Sequence, residues 1–431
     1  MPLVDPDSAL AEAEATALAE IIEGRLVTPV YQQVVDLDSW QTVGFEALAR
    51  GPEGSVLELP ARMFAAAHRE NRVAELDFVC QAAAIEGAIA AGLGRDVDLF
   101  INLEPLSDRA DPPDFLLDAA EAAREQLRIT VEITERELTA RPAELIAMVQ
   151  RLRERPNWGV ALDDVGVESG SVGLIPLIEP DVIKLDMSLL HKPMNRERAR
   201  TAHAVLAEAE RTGTKVLAEG IETEAHLRDA RALGAELGQG WFFGRPGPLL
   251  AGGGALGNTR RHSRVSPAER PGPETTPFEF LAERRETRRG SKPMLLQMSR
   301  ALEHEALSQG TETVLISTFQ DVRYFGEPTA AWYERLAAEL TFVGAIATGL
   351  GGEPAPGVRG ASIDAGTKLR TEWDVVVLAP HFAAAFASRE CPPDPTQPHR
   401  MFDHIFTYDR DLVATVANLL VAHIAPRAGG G

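Results

Sequence analysis

Cysteine, aromatic residues, basic charge and long apolar runs are all scarce in this chain. Two cysteines in 431 residues cannot build a disulfide framework and fit a reducing compartment. Cys80 falls in an apolar helical pattern and reads as core. Cys391 lies in a proline-rich loop, which alone does not make a thiol reactive. No apolar run reaches the roughly 18 residues of a membrane span. The start, MPLVDPDSALAEAEATALAE, is acidic where a secretion signal would be basic, so a cytoplasmic protein away from the membrane is expected. Glycine (36) and proline (29) stay well below the roughly 25–30% of low-complexity chains. Lysine and arginine number 43 against 64 aspartates and glutamates, a net charge of −21. That balance excludes a general nucleic-acid binder, because phosphate contacts need surplus cations. The surplus acid is either a solvated surface or a set of clusters that hold divalent cations.

What is present has a rhythm. At roughly 100–200 residues per domain, the length predicts two or three domains. Ser8–Ile22, Pro60–Arg69 and Ala74–Ala91 read as helices. Val27–Leu37 and Thr42–Ala47 read as strands around a turn. Further apolar runs follow at Val97–Leu103, Ile129–Ile133, Gly159–Leu162, Val182–Leu185, Lys215–Ala218 and Gly240–Phe243, with helical patterns at Pro142–Leu152, Glu197–Arg211 and Glu224–Leu233. Alternation of this kind indicates βα units. Eight strands in this span match a (β/α)8 barrel, with an open doubly wound sheet as the alternative. Residues 251–275 read as a Gly/Pro/Arg-rich linker between a barrel (1–250) and a smaller α/β domain (276–431). Gly252, Gly254 and Gly257 match GxGxxG, but no strand leads into them. In the second domain, helices are expected at Pro293–Ser308, Ala330–Leu340, His381–Arg389 and Asp411–Ile424. Strands are expected at Val314–Phe319, Phe342–Ala347, Asp374–Ala379 and Met401–Thr407.

Reactive side chains of a (β/α)8 barrel project from the carboxyl ends of its strands. Those positions hold Glu46, Asn102, Glu132 and Glu135, Asp163 and Asp164, Lys184 and Asp186, Glu219 and Glu222, and Gln239. One acidic strand end is an ordinary helix cap. Seven converging ends would repel one another, and bound cations relieve that. All-oxygen donors suit Mg2+, Mn2+ or Ca2+ better than Zn2+. Adjacent Asp163 and Asp164 suggest two ions, the usual device for in-line phosphodiester hydrolysis. Lys184 would hold the attacking water or a phosphate oxygen, or would only neutralise Asp186.

The words YQQVVDL, GFEALAR, INLEP, VEITE, LDDVG, DVIKLD, AEGIET and GQGWFFGRP, in this order from about Thr28 to Pro246, resemble the EAL-domain family of cyclic di-GMP phosphodiesterases. The resemblance implies a barrel whose first strand is antiparallel to the rest, and metal-dependent hydrolysis of cyclic di-GMP to pGpG with two Mg2+ or Mn2+ ions. It implies Glu46, Asn102, Glu132, Asp163, Asp164 and Glu219 as metal ligands. Lys184 would orient the water, with Glu222 and Gln239 supporting the metal and water shell. Gln32, Arg50 and Pro246 would meet the substrate, and Glu135 would anchor the loop after the paired aspartates. That loop reads DDVGVESGSV where the family has DDFGTGYSSL, and Gln33 replaces a usual proline. A catalytically weak or inactive cyclic di-GMP receptor is therefore the alternative. An idle scaffold and a barrel enzyme forming a metal-stabilised enolate are ranked below both.

The C-terminal words WYERLA, FVGAIATGL, EWDVVVLAPHFAAAF and FDHIFTYDRDLV resemble the DICT sensory domain, which implies regulation by an unidentified signal. His381, Arg389, Tyr408 and Asp409 could line a pocket there, although helix capping by His381 and Asp409 is the preferred reading. A homodimer is expected as the commonest assembly.

Overall fold

The computed structural model describes residues 6–104, 110–155, 157–167, 171–249, 271–272, 274–364 and 366–424. Most of the linker expected at 251–275, with its GxGxxG match, lies outside the described residues. Eight strands form the first unit: β1 (Thr28–Asp36), β2 (Thr42–Arg50), β3 (Asp98–Asn102), β4 (Arg128–Thr134), β5 (Trp158–Val165), β6 (Val182–Leu185), β7 (Lys215–Ala218) and β8 (Leu237–Gly238). They close into a barrel in chain order, which excludes the open sheet. β1 is antiparallel to both β2 and β8, and the other neighbours are parallel.

The last strand differs from expectation. Pairing stops at Gly238, and Gly240–Phe243 forms a turn instead. Gly240 has φ +151, and a Cβ there would meet Ile221 O at 2.2 Å. The backbone therefore turns against Ile221, whose carbonyl accepts from Phe242 N at 2.9 Å. Phe242 and Phe243 pack edge to face at 5.4 Å.

Val34, Val43, Phe100, Ala161, Val182, Leu217 and Leu237 fill the barrel interior as one buried cluster. Strand side chains alternate between faces. The residues two positions further toward the rim, Asn102 beyond Phe100, Asp163 beyond Ala161, Lys184 beyond Val182, Glu219 beyond Leu217 and Gln239 beyond Leu237, share the inward face. On antiparallel β1 the same step runs backward, from Val34 to Gln32. Gly44, two positions before Glu46, leaves room for the Phe100 ring, which would stand 2.7 Å from an added Cβ.

Around the barrel lie α1 (Pro6–Gly24), α2 (Pro60–Arg69), α3 (Val73–Ala90), α4 (Asp114–Gln126), α5 (Glu135–Ala140), α6 (Pro142–Glu154), α7 (Ile175–Ile178), α8 (Ser188–His191), α9 (Arg196–Thr212) and α10 (Glu224–Ala232), with a 3-10 turn at Ser171–Leu174 before α7. Local chemistry sets the ends. Asn195 Oδ1 accepts from Arg198 N at 2.8 Å to start α9, and Gly213 at φ 73 ends it, the polar cap and left-handed stop expected of a helix.

The second unit contains α11 (Pro277–Ala282), α12 (Lys292–Gln309), α13 (Glu327–Glu339) and α14 (Arg410–Val421). Its strands are β9 (Arg288–Ser291), β10 (Val314–Asp321), β11 (Phe342–Thr348), β12 (Arg359–Ser362), β13 (Glu372–Ala379), β14 (Phe382–Glu390) and β15 (Met401–Thr407). They form one sheet in the order β12-β11-β10-β13-β14-β15-β9. The helix expected at His381–Arg389 is strand β14, paired antiparallel along its length with β13. Its alanines favour helix by propensity, but they alternate between two cores. Ala383, Ala385 and Ala387 belong to one cluster, and Ala384 and Phe386 to another. No helix follows His381, so it is not a cap. Asp409 is one, accepting from Asp411 N at 3.1 Å and Leu412 N at 3.3 Å.

The two units pack together. The face of the second sheet that carries α14 meets the 3-10 turn and α7 of the barrel, and one apolar cluster runs through both units. Gly173 in that turn approaches the backbone of Glu312 so closely that a Cβ would stand 2.2 Å from its carbonyl oxygen. Arg200 lies 3.3 Å from Glu312, Arg211 pairs with Asp411, and Arg359 donates to Ala140 O at 3.1 Å.

Candidate active site

A single buried lysine organises the barrel mouth. Lys184 is 1% exposed. Its Nζ lies 2.6 Å from Glu132 Oε1, 2.9 Å from Asp163 Oδ1, 2.9 Å from Glu219 Oε1 and 3.6 Å from Glu46 Oε2. The ammonium is shared among these carboxylates and acts as the central charge of the cluster. Asp186 is not among its partners; its Oδ1 accepts from Ser188 N at 2.9 Å. The lysine therefore sits within the acidic cluster and does not merely neutralise its strand neighbour.

Burial and like charge govern the titration of the cluster. Burial, then Glu46, pushes Glu132 well above the carboxylate range against the pull of Lys184. Burial lifts Glu219 to about 8, opposed by Lys184 and reinforced by Asp163. Burial, with Asp163 beside it, lifts Asp164 to about 6. Burial would depress Lys184, but Asp163, Glu132, Glu219 and Glu46 outweigh it and hold the ammonium charged.

Asp163 and Asp164 are consecutive and would ordinarily point to opposite faces. A register irregularity between Leu162 and Val165 and a left-handed Asp164 (φ 58) bring both to one side. Oxygens of Asp163, Asp164 and Glu219 lie within 4.8 Å of one another. Glu135, 1% exposed, accepts from Gly166 N at 3.1 Å and so ties down the start of the following loop, of which residues 168–170 lie outside the described residues.

Gln239 Nε2 donates to Glu46 Oε2 at 2.6 Å and to Gln32 Oε1 at 3.1 Å. Gln32 in turn donates to Gly244 O at 3.1 Å, which ties β1 to the segment bearing Pro246. Gln33, at the position of the usual proline, donates to Phe243 O. Asn102 stands in register with Glu132 and is exposed at the strand end. A cavity of about 350 Å3 opens beside Asn102 and Glu132. Two expected residues stand apart. Arg50 donates to its neighbour's carbonyl, Ala49 O, at 2.7 Å. Glu222 is exposed and contributes no ion pair to the cluster among the described residues.

The donor set fits divalent cations. Four carboxyl groups face one ammonium, all donors are hard oxygens, and buried Glu132 Oε2 and Gln239 Oε1 lack any hydrogen-bond partner. Such orphaned acceptors are costly unless something else binds them.

Fold and site together define an α/β-barrel protein with an acid-ringed lysine at the carboxyl ends of its strands. Residues 15–246 match the family model of the EAL domain, more than half of the chain, and the protein belongs to the EAL-domain family. Residues 280–390 match a second model, described as a sensory domain in diguanylate cyclases and two-component systems. Among curated relatives, the chain is 28% identical over 246 residues to the cyclic di-GMP phosphodiesterase RocR of Pseudomonas aeruginosa, covering 55% of this chain and 62% of RocR. It is 28% identical over 235 residues to the probable cyclic di-GMP phosphodiesterase PdeB of Escherichia coli, covering 54% and 45%. The chain spans less than two thirds of the length of these relatives. A solved manganese and cyclic di-GMP complex of Klebsiella pneumoniae BlrP1 is 30% identical, with a TM-score of 0.46 over 52% of this chain and 57% of that one. No helix among the described residues is long and apolar enough to cross a membrane.

Proposed function

We propose that the barrel hydrolyses cyclic di-GMP to linear pGpG with two Mg2+ or Mn2+ ions, and that the second unit sets the rate. The observation that carries this reading is the convergence of Glu46, Glu132, Asp163 and Glu219 on Lys184. The family and its curated relatives named as cyclic di-GMP phosphodiesterases supply the substrate.

In this reading Glu46, Asn102, Glu132, Asp163, Asp164 and Glu219 hold the ions. Bound divalent cations supply an acidified water and neutralise charge on the phosphodiester. Lys184 keeps its proton and orients the water within the carboxylate ring. Gln239 fixes Glu46, and Glu135 fixes the backbone after Asp164. Gln32, Arg50 and Pro246 border the substrate, with Glu222 at the rim. Residues 1–250 form the catalytic unit and 276–431 the sensory unit, joined by 251–275. The route between them is short, because the 3-10 turn packed against the second unit begins seven residues after Asp164.

The full chain incubated with cyclic di-GMP and Mg2+ or Mn2+ yields pGpG on chromatography, and Glu46→Gln lowers turnover by at least about 100-fold. Tight cyclic di-GMP binding that persists under chelation, with no pGpG formed, would replace this reading by the receptor. That second reading draws on the altered loop, where Val167 is 61% exposed. A homodimer in a cytoplasmic setting completes the proposal, and light scattering of the full chain measures the assembly.

A further inference from the structure

The second unit encloses a cavity of about 510 Å3 between α12, α13 and the sheet, within the range of small-molecule sites. It lies outside the barrel, and its wall is unusually aromatic for a chain with so few rings. Phe319, Tyr324, Trp332, Tyr333, Trp373 and Phe402 all line it.

These rings are fixed in place. Glu303 accepts from Trp332 Nε1 at 2.8 Å and hydrogen-bonds Tyr333 Oη at 3.0 Å. Tyr333 also bonds Ser317 Oγ at 2.7 Å. Both carboxyl oxygens of Glu303 are thereby occupied, so it anchors the wall and has little left for a ligand. His304 stacks on one side of Trp332 at 4.6 Å. A register irregularity between Thr318 and Asp321, with Gln320 at φ 58, turns both Phe319 and Gln320 to the cavity. Strain of this kind concentrates at binding sites.

The charge at the mouth is cationic and unbalanced. Lys292 Nζ lies 4.5 Å over the Tyr324 ring, and among the described residues no carboxylate stands within ion-pair distance of it. Burial, then Arg400 nearby, lowers the Lys292 pKa, and the more distant Glu390 offsets them only in part. Arg300 is a second cation on the lining. Arg400, behind Tyr324, is already paired with Glu390. A cationic ligand would be repelled here, and an anion would relieve Lys292.

We propose that this cavity binds a flat aromatic anion, one or two fused rings bearing a single carboxylate, with the rings on the face of Trp332 opposite His304 and the charge on Lys292. This goes beyond the reading of the barrel and does not depend on its turnover.

Three isosteric probes test it on the full chain by calorimetry: naphthalene-2-carboxylate, 2-naphthalenemethanol and 2-naphthylmethylammonium. The carboxylate binds one per chain, about tenfold tighter than the alcohol, and the ammonium binds weakest. Lys292→Gln abolishes the gap between carboxylate and alcohol while leaving the alcohol's affinity within about twofold. Trp332→Leu weakens carboxylate and alcohol alike by about tenfold, with circular dichroism verifying the fold. Glu46→Gln, in the barrel, leaves all three affinities unchanged. Absence of saturable binding by every probe, tightest binding of the ammonium, a gap that survives Lys292→Gln, or loss of binding in Glu46→Gln each overturns the proposal.

Discussion

At the scale of single residues, the barrel mouth works by charge compensation. Lys184 is the only protein cation within ion-pair distance of Glu132, Asp163 and Glu219 among the described residues. Removing one partner of a buried charged group costs about 3–5 kcal/mol. Lys184→Met should therefore lower the thermal midpoint in chelator by several degrees, and saturating Mn2+ should restore part of the loss, as read by calorimetry. Gln239→Ala removes the donor that holds Glu46 and Gln32. It should weaken Mn2+ dependence and turnover by about 10–100-fold, measured by metal titration of the turnover rate. Most of the cluster was legible because strand periodicity places every second residue on one face, and the acidic rim follows the apolar plug at that interval. The partners of Lys184 were not legible. Sequence proximity suggested Asp186, whereas the barrel's closure brings in carboxyls from four other strands or strand ends. The approach of Asp163 and Asp164 also depends on a left-handed residue that no local word announces. In the second unit, the Glu303 anchor lies about one helix away from Trp332 and Tyr333 and left no spacing signal. Of the pocket candidates read from sequence, Arg389 lines a second cavity of about 740 Å3 while paired with Glu372 at 2.7 Å, and Tyr408 is 64% exposed.

At the scale of elements, the 3-10 turn at Ser171–Leu174 joins the acidic loop to the second unit. The atoms that a Cβ at Gly173 would strike belong to the Glu312 backbone, outside the barrel. Gly173→Ala should thus leave the barrel intact and loosen the packing between units. The expected outcome is a single calorimetric transition splitting into two, together with a changed turnover rate. Gly240→Ala is different in kind: its Cβ would meet Ile221 N, C and O within the barrel, so a loss of about 3 kcal/mol or more in stability is expected from denaturant titration. Element types were mostly readable, and the exceptions are instructive. β14 is rich in alanine and reads as a helix in isolation, but small side chains on both faces let helices pack closely against the sheet. The closing strand lies three residues before the aromatic run that marks it in the sequence, because that run forms the covering turn.

At the scale of the whole molecule, the second unit carries a pH term built into its centre. Asp374 is wholly buried, accepting from Thr318 Oγ1 at 2.9 Å and Ser388 N at 3.3 Å. Burial, then Glu372, raises its pKa well above the usual value. The folded state binds this proton more tightly than the unfolded chain does. The stabilisation is fully present below the ordinary carboxylate value near 4 and is lost as pH rises through the raised folded value. Asp374→Asn should flatten that part of the fall in thermal midpoint as pH rises above about 4, a difference visible in paired melts of variant and parent. The large division of the molecule was readable from the composition of the intervening stretch, but the packing of the two units against each other was not, since it arises from apolar residues that look like ordinary core.

The shared apolar cluster carries one more consequence. Val172, Leu174, Ile175 and Ile178 are at most 4% exposed, and α14 lies against the helix that bears the last two. A chain severed after Leu249 would bare a greasy scar beside its acidic rim. Such a fragment would clump in solution, and a sluggish rate measured on it would report that clumping as readily as the loss of a sensor.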